Sequence, residues 1–508
     1  MTRISSVSVL ALAAMAGPGF ADITPQQAWD SMEAYLTGFG YTIDAREEAS
    51  GDVLTLRDLT LTMPVPEEDG EAVVTIPDMT YTAKGDGSVD ITMPENGLVG
   101  IAFGPAGGVP EGRVNLSLSH SGLLMNVAGS EGDMTYTYSA ERMTMALDSI
   151  TDGGEALPED IMRVTMSAGP ISGTSRVTTQ DGLQSVMQDA RYGDISYDFA
   201  FNNPDDPESK GMFKGTLKGL TGTGTTSIPD NADFEDPAAI FAAGMAVDAT
   251  VTHQGGQTEF NFQDGLDVVT GQMASQGGTV RVDMSSAGMA YDVSARGQTV
   301  SMMVPDVPFP IEAQFTEAGF SFDLPLAKSD TPVPARLSIR LGDFTMADML
   351  WNIFDPNQVL PRDPATIGAT LEAQVTPMVD FMDPEAMAAV EDGEVMPGEL
   401  NSVTLKDLII SAVGAKITGA GDFTFDNSDF ETFDGFPAPE GALTLQIAGV
   451  NGVIDKLIQM GLVQEQDAMG ARMMLGMFTV PGADPDTASS KIEVNGEGHV
   501  LANGQRIK

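Results

Sequence analysis

The sequence predicts a mainly β protein with minor α (α+β): an extended, curved antiparallel sheet with a few amphipathic helices packed on one face. Three observations predict it. From about residue 53 to 344, apolar and polar residues alternate, as in Val89, Ile91 and Met93, Val114, Leu116 and Leu118, and Met143, Met145 and Leu147; this is the period of a half-buried strand. Turn signals such as Gly85-Asp86-Gly87, Asp152-Gly153-Gly154 and Gly255-Gly256 separate the runs, at intervals too short for helical crossovers, so neighbours pair antiparallel. A few isolated stretches have helical spacing instead.

The chain begins with Arg3, an apolar run from Val7 to Met15, and the small residues Gly19 and Ala21 around Phe20. This reads as a secretory signal peptide, residues 1–21, cleaved after Ala21. No later stretch reaches the ~18 uninterrupted apolar residues of a membrane span. The expectation is a periplasmic protein, exported through this N-terminal signal, with no transmembrane segment after cleavage.

The next segment starts as a helix. Thr24 is an N-cap, Pro25 takes the first helical position, and Gln27 completes a capping box. Ala28, Trp29, Met32, Tyr35, Leu36 and Phe39 share one face, and Gly38 and Gly40 offer the stop. Within the strand region a motif recurs: apolar, any residue, Asp, apolar, any residue, apolar. It holds Asp58, Asp78, Asp194, Asp343 and Asp407, with Asp133 in a variant at Glu131 to Tyr136. The apolar residues flanking each Asp are three apart, which breaks alternation, so each motif predicts a β-bulge or corner there. Near-identical local contexts favour this structural role over a row of catalytic acids.

Asn202 to Gly224, polar and rich in Gly, reads as a stretch with a flexible loop. Asp236-Pro237 introduces a short helix over 238–245, and Thr345 precedes another at 346–354, ended by Pro356, Pro361 and Pro364. Strands follow around 371–375, 403–410, 422–425 and 442–447. Asn451 caps a helix closed by Gly461, a second helix runs from 464 to 478, and 492–494 with 500–501 form a final hairpin. The expected organisation is the signal peptide, an N-terminal helix plus β-rich region at 22–350, and a C-terminal sheet with two helices at 351–508.

Composition excludes more chemistry than it proposes. The 508 residues hold 73 acids against 25 bases, a net charge of −48, and no cysteine. Disulfides, thiolate metal sites and cysteine nucleophiles are therefore out, and nucleic acid is a poor partner without clustered Lys and Arg. Acids such as Glu67-Glu68-Asp69, Asp205-Asp206 and Asp383 to Asp392 are spread along the chain and read as a solvated surface; no calcium-loop spacing occurs. His120, His253 and His499 stand far apart without ligand spacing. No nucleophile elbow occurs, and Gly219 to Gly224 lacks the lysine of a phosphate loop. No catalytic, cofactor-binding or metal residue is assigned, and the ligand-binding residues are unknown. The 31 methionines, Met302-Met303 and Met473-Met474 with Met477 among them, read as core filling, with an adaptable apolar groove and a Cu(I) thioether site as alternatives. An outer-membrane barrel is disfavoured by the scarcity of aromatics and by the apolar C-terminal helices.

Leu405-Lys406-Asp407-Leu408, Gly419 to Phe423, Gly441 to Leu445, the helix from Asn451 to Gly461 and Asn503-Gly504 resemble the bacterial domain-of-unknown-function 2125 family, most clearly over 398–508. The resemblance implies an exported, β-rich protein without assigned activity and transfers no site residues. The texture of bulges and strands is also similar, at fold level, to AsmA-like envelope proteins, whose curled sheets are associated with lipids. The functional expectation is a non-enzymatic periplasmic protein that binds a lipid or other amphiphile in an apolar groove. The alternatives are a structural or protein-binding component of the cell envelope and a hydrolase with an unrecognised carboxylate site.

Overall fold

The computed structural model describes residues 23–65, 70–108, 110–230, 232 and 236–508. The signal-peptide segment and the cluster Glu67-Glu68-Asp69 lie outside them. Among the described residues the strands join in one antiparallel sheet of 30 strands, accompanied by six helices.

The sheet is a ribbon whose rungs are alternately whole and divided. At one edge Thr42–Ser50 pairs with Val53–Val65. On its other side Val53–Val65 carries two strands end to end, Met79–Ala83 and Gly70–Thr75. Collinear pairs continue: Val89–Thr92 with Asn96–Pro105, Leu124–Ser130 with Gly112–Ser121, Asp133–Ala140 with Arg142–Asp152. They rejoin on Met162–Gln180, which pairs with Leu183–Asn202 over its whole length. The next rungs divide again, from Leu220–Pro229 with Lys210–Leu217 to Gly277–Ser285 with Asp267–Ser275, and reunite on Gly288–Met303. A meander of long strands then runs from Ile311–Pro325 to Thr487–Val494 and closes on the short strands Val500–Ala502 and Gln505–Arg506.

The loop expected within 202 to 224 lies at 203–209, and the rest of the stretch is mostly strand, Lys210–Leu217 and Leu220–Pro229. Two of its glycines sit where rings from neighbouring strands cross the backbone. A Cβ on Gly211 would come within 2.3 Å of Phe201, and one on Gly215 within 2.5 Å of Tyr197. Glycine here marks close approach, not disorder.

The breaks between collinear strands line up across the sheet as a seam, and the recurrent Asp motif marks it. Asp58, Asp343 and Asp407 have φ of 54°, 50° and 54°, the left-handed region that Asp tolerates better than most residues. At each, the register slips by one residue, which is a bulge that bends the strand. Asp78 lies in the corner between the collinear strands ending at Thr75 and starting at Met79. Two members depart from the expectation. Asp194 stands opposite Gly169 without a slip, where its strand changes partners, and Asp133 opens a strand at a hairpin opposite Ser130. Elsewhere on the seam Gly219, Gly255, Gly277 and Gly297 supply the positive φ.

The helices follow their caps. α1, Pro25–Gly38, has the full Thr24–Gln27 capping box, and α2, Pro237–Ala242, is capped by Asp236. α3, Asp348–Phe354, starts later than expected because Met346 still belongs to the strand Val333–Met346, and Ala347 precedes it without a side-chain cap. α4, Pro384–Glu391, was hidden in the acidic run: Asp383 accepts from the amides of Glu385 and Ala386. α5, Val450–Gln459, begins after Gly449, so Asn451 is inside the helix and not its cap. The cap comes from a distant segment, with Asp486 accepting from the amides of Asn451 and Gly452 at 3.0 and 2.8 Å. α6 is Glu465–Phe478.

Candidate binding face

Residues directly opposite each other in an antiparallel sheet project to the same side, so the register sorts side chains by face. One row runs Val89, Val127, Tyr136, then Ser175, Gln188, Gly224. It continues as Ala249, Val282, Tyr291, Phe322, Leu337, Leu371 and Leu405. The adjoining row begins Tyr81, Ile91, Met125, Tyr138. It crosses Gly173, Ala190 and Gly222 and goes on to Val251, Val280, Val293, Phe320 and Ile339. Both rows are apolar at their ends and small or polar in the middle.

The opposite side carries the charge. Arg281–Asp248 joins neighbouring strands at 2.9 Å, and Arg176 grips Asp133 with two bonds of 2.9 and 2.7 Å. The Arg176 hydrogen bond holds the Asp133 carboxyl below its usual range. Asp248 and Asp283 face each other; the Arg281 hydrogen bond lowers the first, while burial and then Asp248 raise the second.

The first rows of the apolar face are covered. Trp29 of α1 is buried with Leu54, Leu56, Leu59, Tyr81, Val89, Val127 and Tyr136 in the main hydrophobic cluster. Leu56 and Leu59 share it although they are three apart, as the bulge at Asp58 requires. Trp29 meets Tyr81 edge to face at 6.3 Å, and its indole N–H donates to Glu47 at 2.9 Å. Glu47 stands opposite Leu56, so the edge strand carries an inward charge of the kind that discourages further pairing. Burial pushes the Tyr81 hydroxyl well above its usual range, and Tyr136 adds to the effect. Beside the cluster, α1 roofs a pocket of about 200 Å³ lined by Met32, Tyr35, Met79, Ile91, Met125, Tyr138, Val177, Val186 and Gln188.

The later rows are open. Val251, Val280, Phe320, Leu337, Ile339, Ile367, Leu371 and Ile410 are all exposed, Ile339 and Ile367 to 53%. They adjoin through the register, Phe320 opposite Ile339, Leu337 opposite Leu371, Ile367 opposite Ile410. A second apolar pocket of about 380 Å³ lies at the strand ends, lined by Leu324, Leu326, Val375, Phe381 and Leu400. The alternation was legible in the sequence. Its exposure was not, because exposure depends on which helix lies over which rung.

The residues weighed as ligands do not converge. His120 lies in Gly112–Ser121 and His253 in Ala246–His253, while His499 lies beside Glu497. Met302 and Met303 are consecutive in one strand and project to opposite sides, so they do not share an ion. Met469, Met473 and Met477 form an exposed stripe on α6. Among the described residues no group of three or more His, Asp or Glu is placed to hold a metal, and no helix is long and apolar enough to cross a membrane.

The family described as an uncharacterized protein conserved in bacteria, DUF2125, matches residues 231–498. The chain belongs to this family. The DUF2125 match is wider than the resemblance at 398–508: it starts before α2, takes in all of the open stripe from Val251 to Ile410, and stops short of Asn503-Gly504. It leaves out α1 and the rows that α1 covers. No curated protein matches the chain.

Proposed function

We propose that this is an exported, periplasmic, non-enzymatic protein that holds a lipid or other amphiphile against the apolar side of its sheet, where helices on that side only partly cover a curved trough. The observation that carries this reading is the open stripe from Val251 to Ile410, contiguous across neighbouring strands. Monomeric soluble proteins rarely leave such a patch in water without a use for it. Each Leu, Ile or Phe that a ligand covers fully recovers about 1.5–3 kcal/mol, so a few contacts suffice for binding. The acidic opposite side keeps the apolar one from causing aggregation.

Docking of a protein strand on a sheet edge has less support. Glu47 and Glu48 charge one edge, and the two-residue strands Val480–Pro481 and Gln505–Arg506 blunt the other. The test is native mass spectrometry of the processed protein after mild purification, followed by titration of the delipidated protein with a fluorescent phospholipid. Copurified lipid and saturable uptake are expected. A protein that carries and takes up none sinks the reading, and a stoichiometric protein partner found without lipid moves it to the structural alternative.

A further inference from the structure

The pocket under α1 and the middle of the two rows belong together. At the pocket's edge stand Tyr35, Gln188, Ser175 and Tyr138. Beyond them the same rows drop to Ala190, Gly222, Gly224 and Ala249, a floor without tall side chains. A Cβ on Gly222 would meet nothing within 4 Å, so that floor has open space above it. On its far side the rows rise again at Val251, Val282 and Phe320 into the exposed stripe. From Leu183–Asn202 to Ile311–Pro325 the register passes through Leu220–Pro229, Ala246–His253, Gly277–Ser285 and Gly288–Met303. At ~4.8 Å per strand this track is about 24 Å long, longer than the ~15 Å that one acyl chain fills in half of a bilayer core.

Charge narrows the occupant. The pocket is lined by neutral side chains, which suits the uncharged end of an amphiphile. With a net charge of −48 over the whole chain, the field repels anions and attracts an ammonium. A second copy of this chain would bring the same charge to the face.

Resting on the amphiphile reading, we propose that this pocket takes the methyl end of a single long hydrocarbon chain, laid across the Gly222–Gly224 floor, whose head group carries a positively charged nitrogen. Trp29 reports on it, being buried one turn from Met32 and against Tyr81, the neighbour of the pocket residue Ile91. The chain has two tryptophans, so Trp351→Phe leaves Trp29 alone.

The experiment titrates the full processed W351F protein with hexadecylphosphocholine brominated either at the terminal carbon or next to the head group, below micellar concentration. Terminal bromine is expected to quench Trp29 at least twofold more strongly. Equal or reversed quenching, with binding confirmed by native mass spectrometry, overturns the inference and leaves the amphiphile reading standing. Absence of binding by every amphiphile tried overturns both. Hexadecanoate is expected to bind at least tenfold more weakly than the phosphocholine at low salt; equal affinity overturns the head-group assignment. Gly222→Leu, which raises the floor, is expected to weaken binding at least tenfold with an unchanged circular dichroism spectrum, and unchanged affinity in that variant overturns the path. If it does not fold, the bromine comparison on the unaltered floor decides.

Discussion

The two ends of the apolar face are built alike and finished differently. Around α1, Leu54, Leu56, Tyr81, Val89 and Val127 are buried to within a few per cent. From Val251 onward the same rows, with similar residues and the same pairing, stand open. The difference is one amphipathic helix, self-capped by Thr24 and Gln27, lying over a few rungs. Alternation fixes which side of a strand is apolar; it does not say whether anything lies on that side. The largest expected effect follows from this. Leu56→Ala, at a site with no exposure, should cost about 2–5 kcal/mol, whereas Leu337→Ala, 44% exposed, should cost under about 1 kcal/mol. Denaturant midpoints of the two variants check this, and equal losses would mean that the stripe is covered in solution.

The seam offers a sharper comparison because the same device sits in both regions. Asp58 belongs to the covered rows and Asp407 to the open ones, both with φ of 54°. A β-branched residue resists that conformation, so Asp58→Val and Asp407→Val should each lose about 1–2 kcal/mol, and Asp407→Gly far less. If Asp58→Val costs clearly more, the packing of Leu59 under α1 depends on the bulge and the two regions are not equivalent there.

The seam also measures how far the sequence could be read. Apolar residues three apart around Asp58, Asp343 and Asp407 announced bulges, because alternation cannot put both on one side otherwise. Asp133 and Asp194 share the spelling without the slip, since a hairpin or a change of partner absorbs the same irregularity. Gly219, Gly255, Gly277 and Gly297 do the same work without the Asp motif, Gly255-Gly256 reading only as a turn, so the alignment of breaks into one line was visible only in the register. At the candidate site the apolar rows were legible. The pocket was not: it needs Met32 and Tyr35 of one helix to meet Ile91, Met125 and Val186 from three separate strands.

Helix capping separates the ends in another way. Thr24 is local to α1, whereas Asp486 reaches α5 from the turn that leads into Thr487–Val494. Thr24→Ala and Asp486→Ala should each lose about 1 kcal/mol, but only the second loss should depend on pH. Burial raises the Asp486 carboxyl, and the bonds from Gly452 and Asn451 outweigh it, leaving a net lowering. A carboxylate with a lowered folded value stabilises above its unfolded value, ~3.9, and loses that contribution as pH falls through the folded one. The gap between wild type and Asp486→Ala should therefore narrow below about pH 4, while the gap for Thr24→Ala stays constant.

The smallest effect lies on the charged side, where the two regions ought to agree. Arg176 with Asp133 spans strands in the first half, and Arg281 with Asp248 does so in the second. Both pairs are well exposed, so each is worth under about 1 kcal/mol whatever lies on the other side of the sheet. Asp133→Asn and Asp248→Asn should shift denaturant midpoints slightly and equally, and 1 M salt should erase both shifts, because the screening length there is only ~3 Å. A larger, salt-resistant loss at Asp248 would mean that something covers the charged side of the second half as well. The contrast between the regions would then no longer be a matter of the apolar face alone.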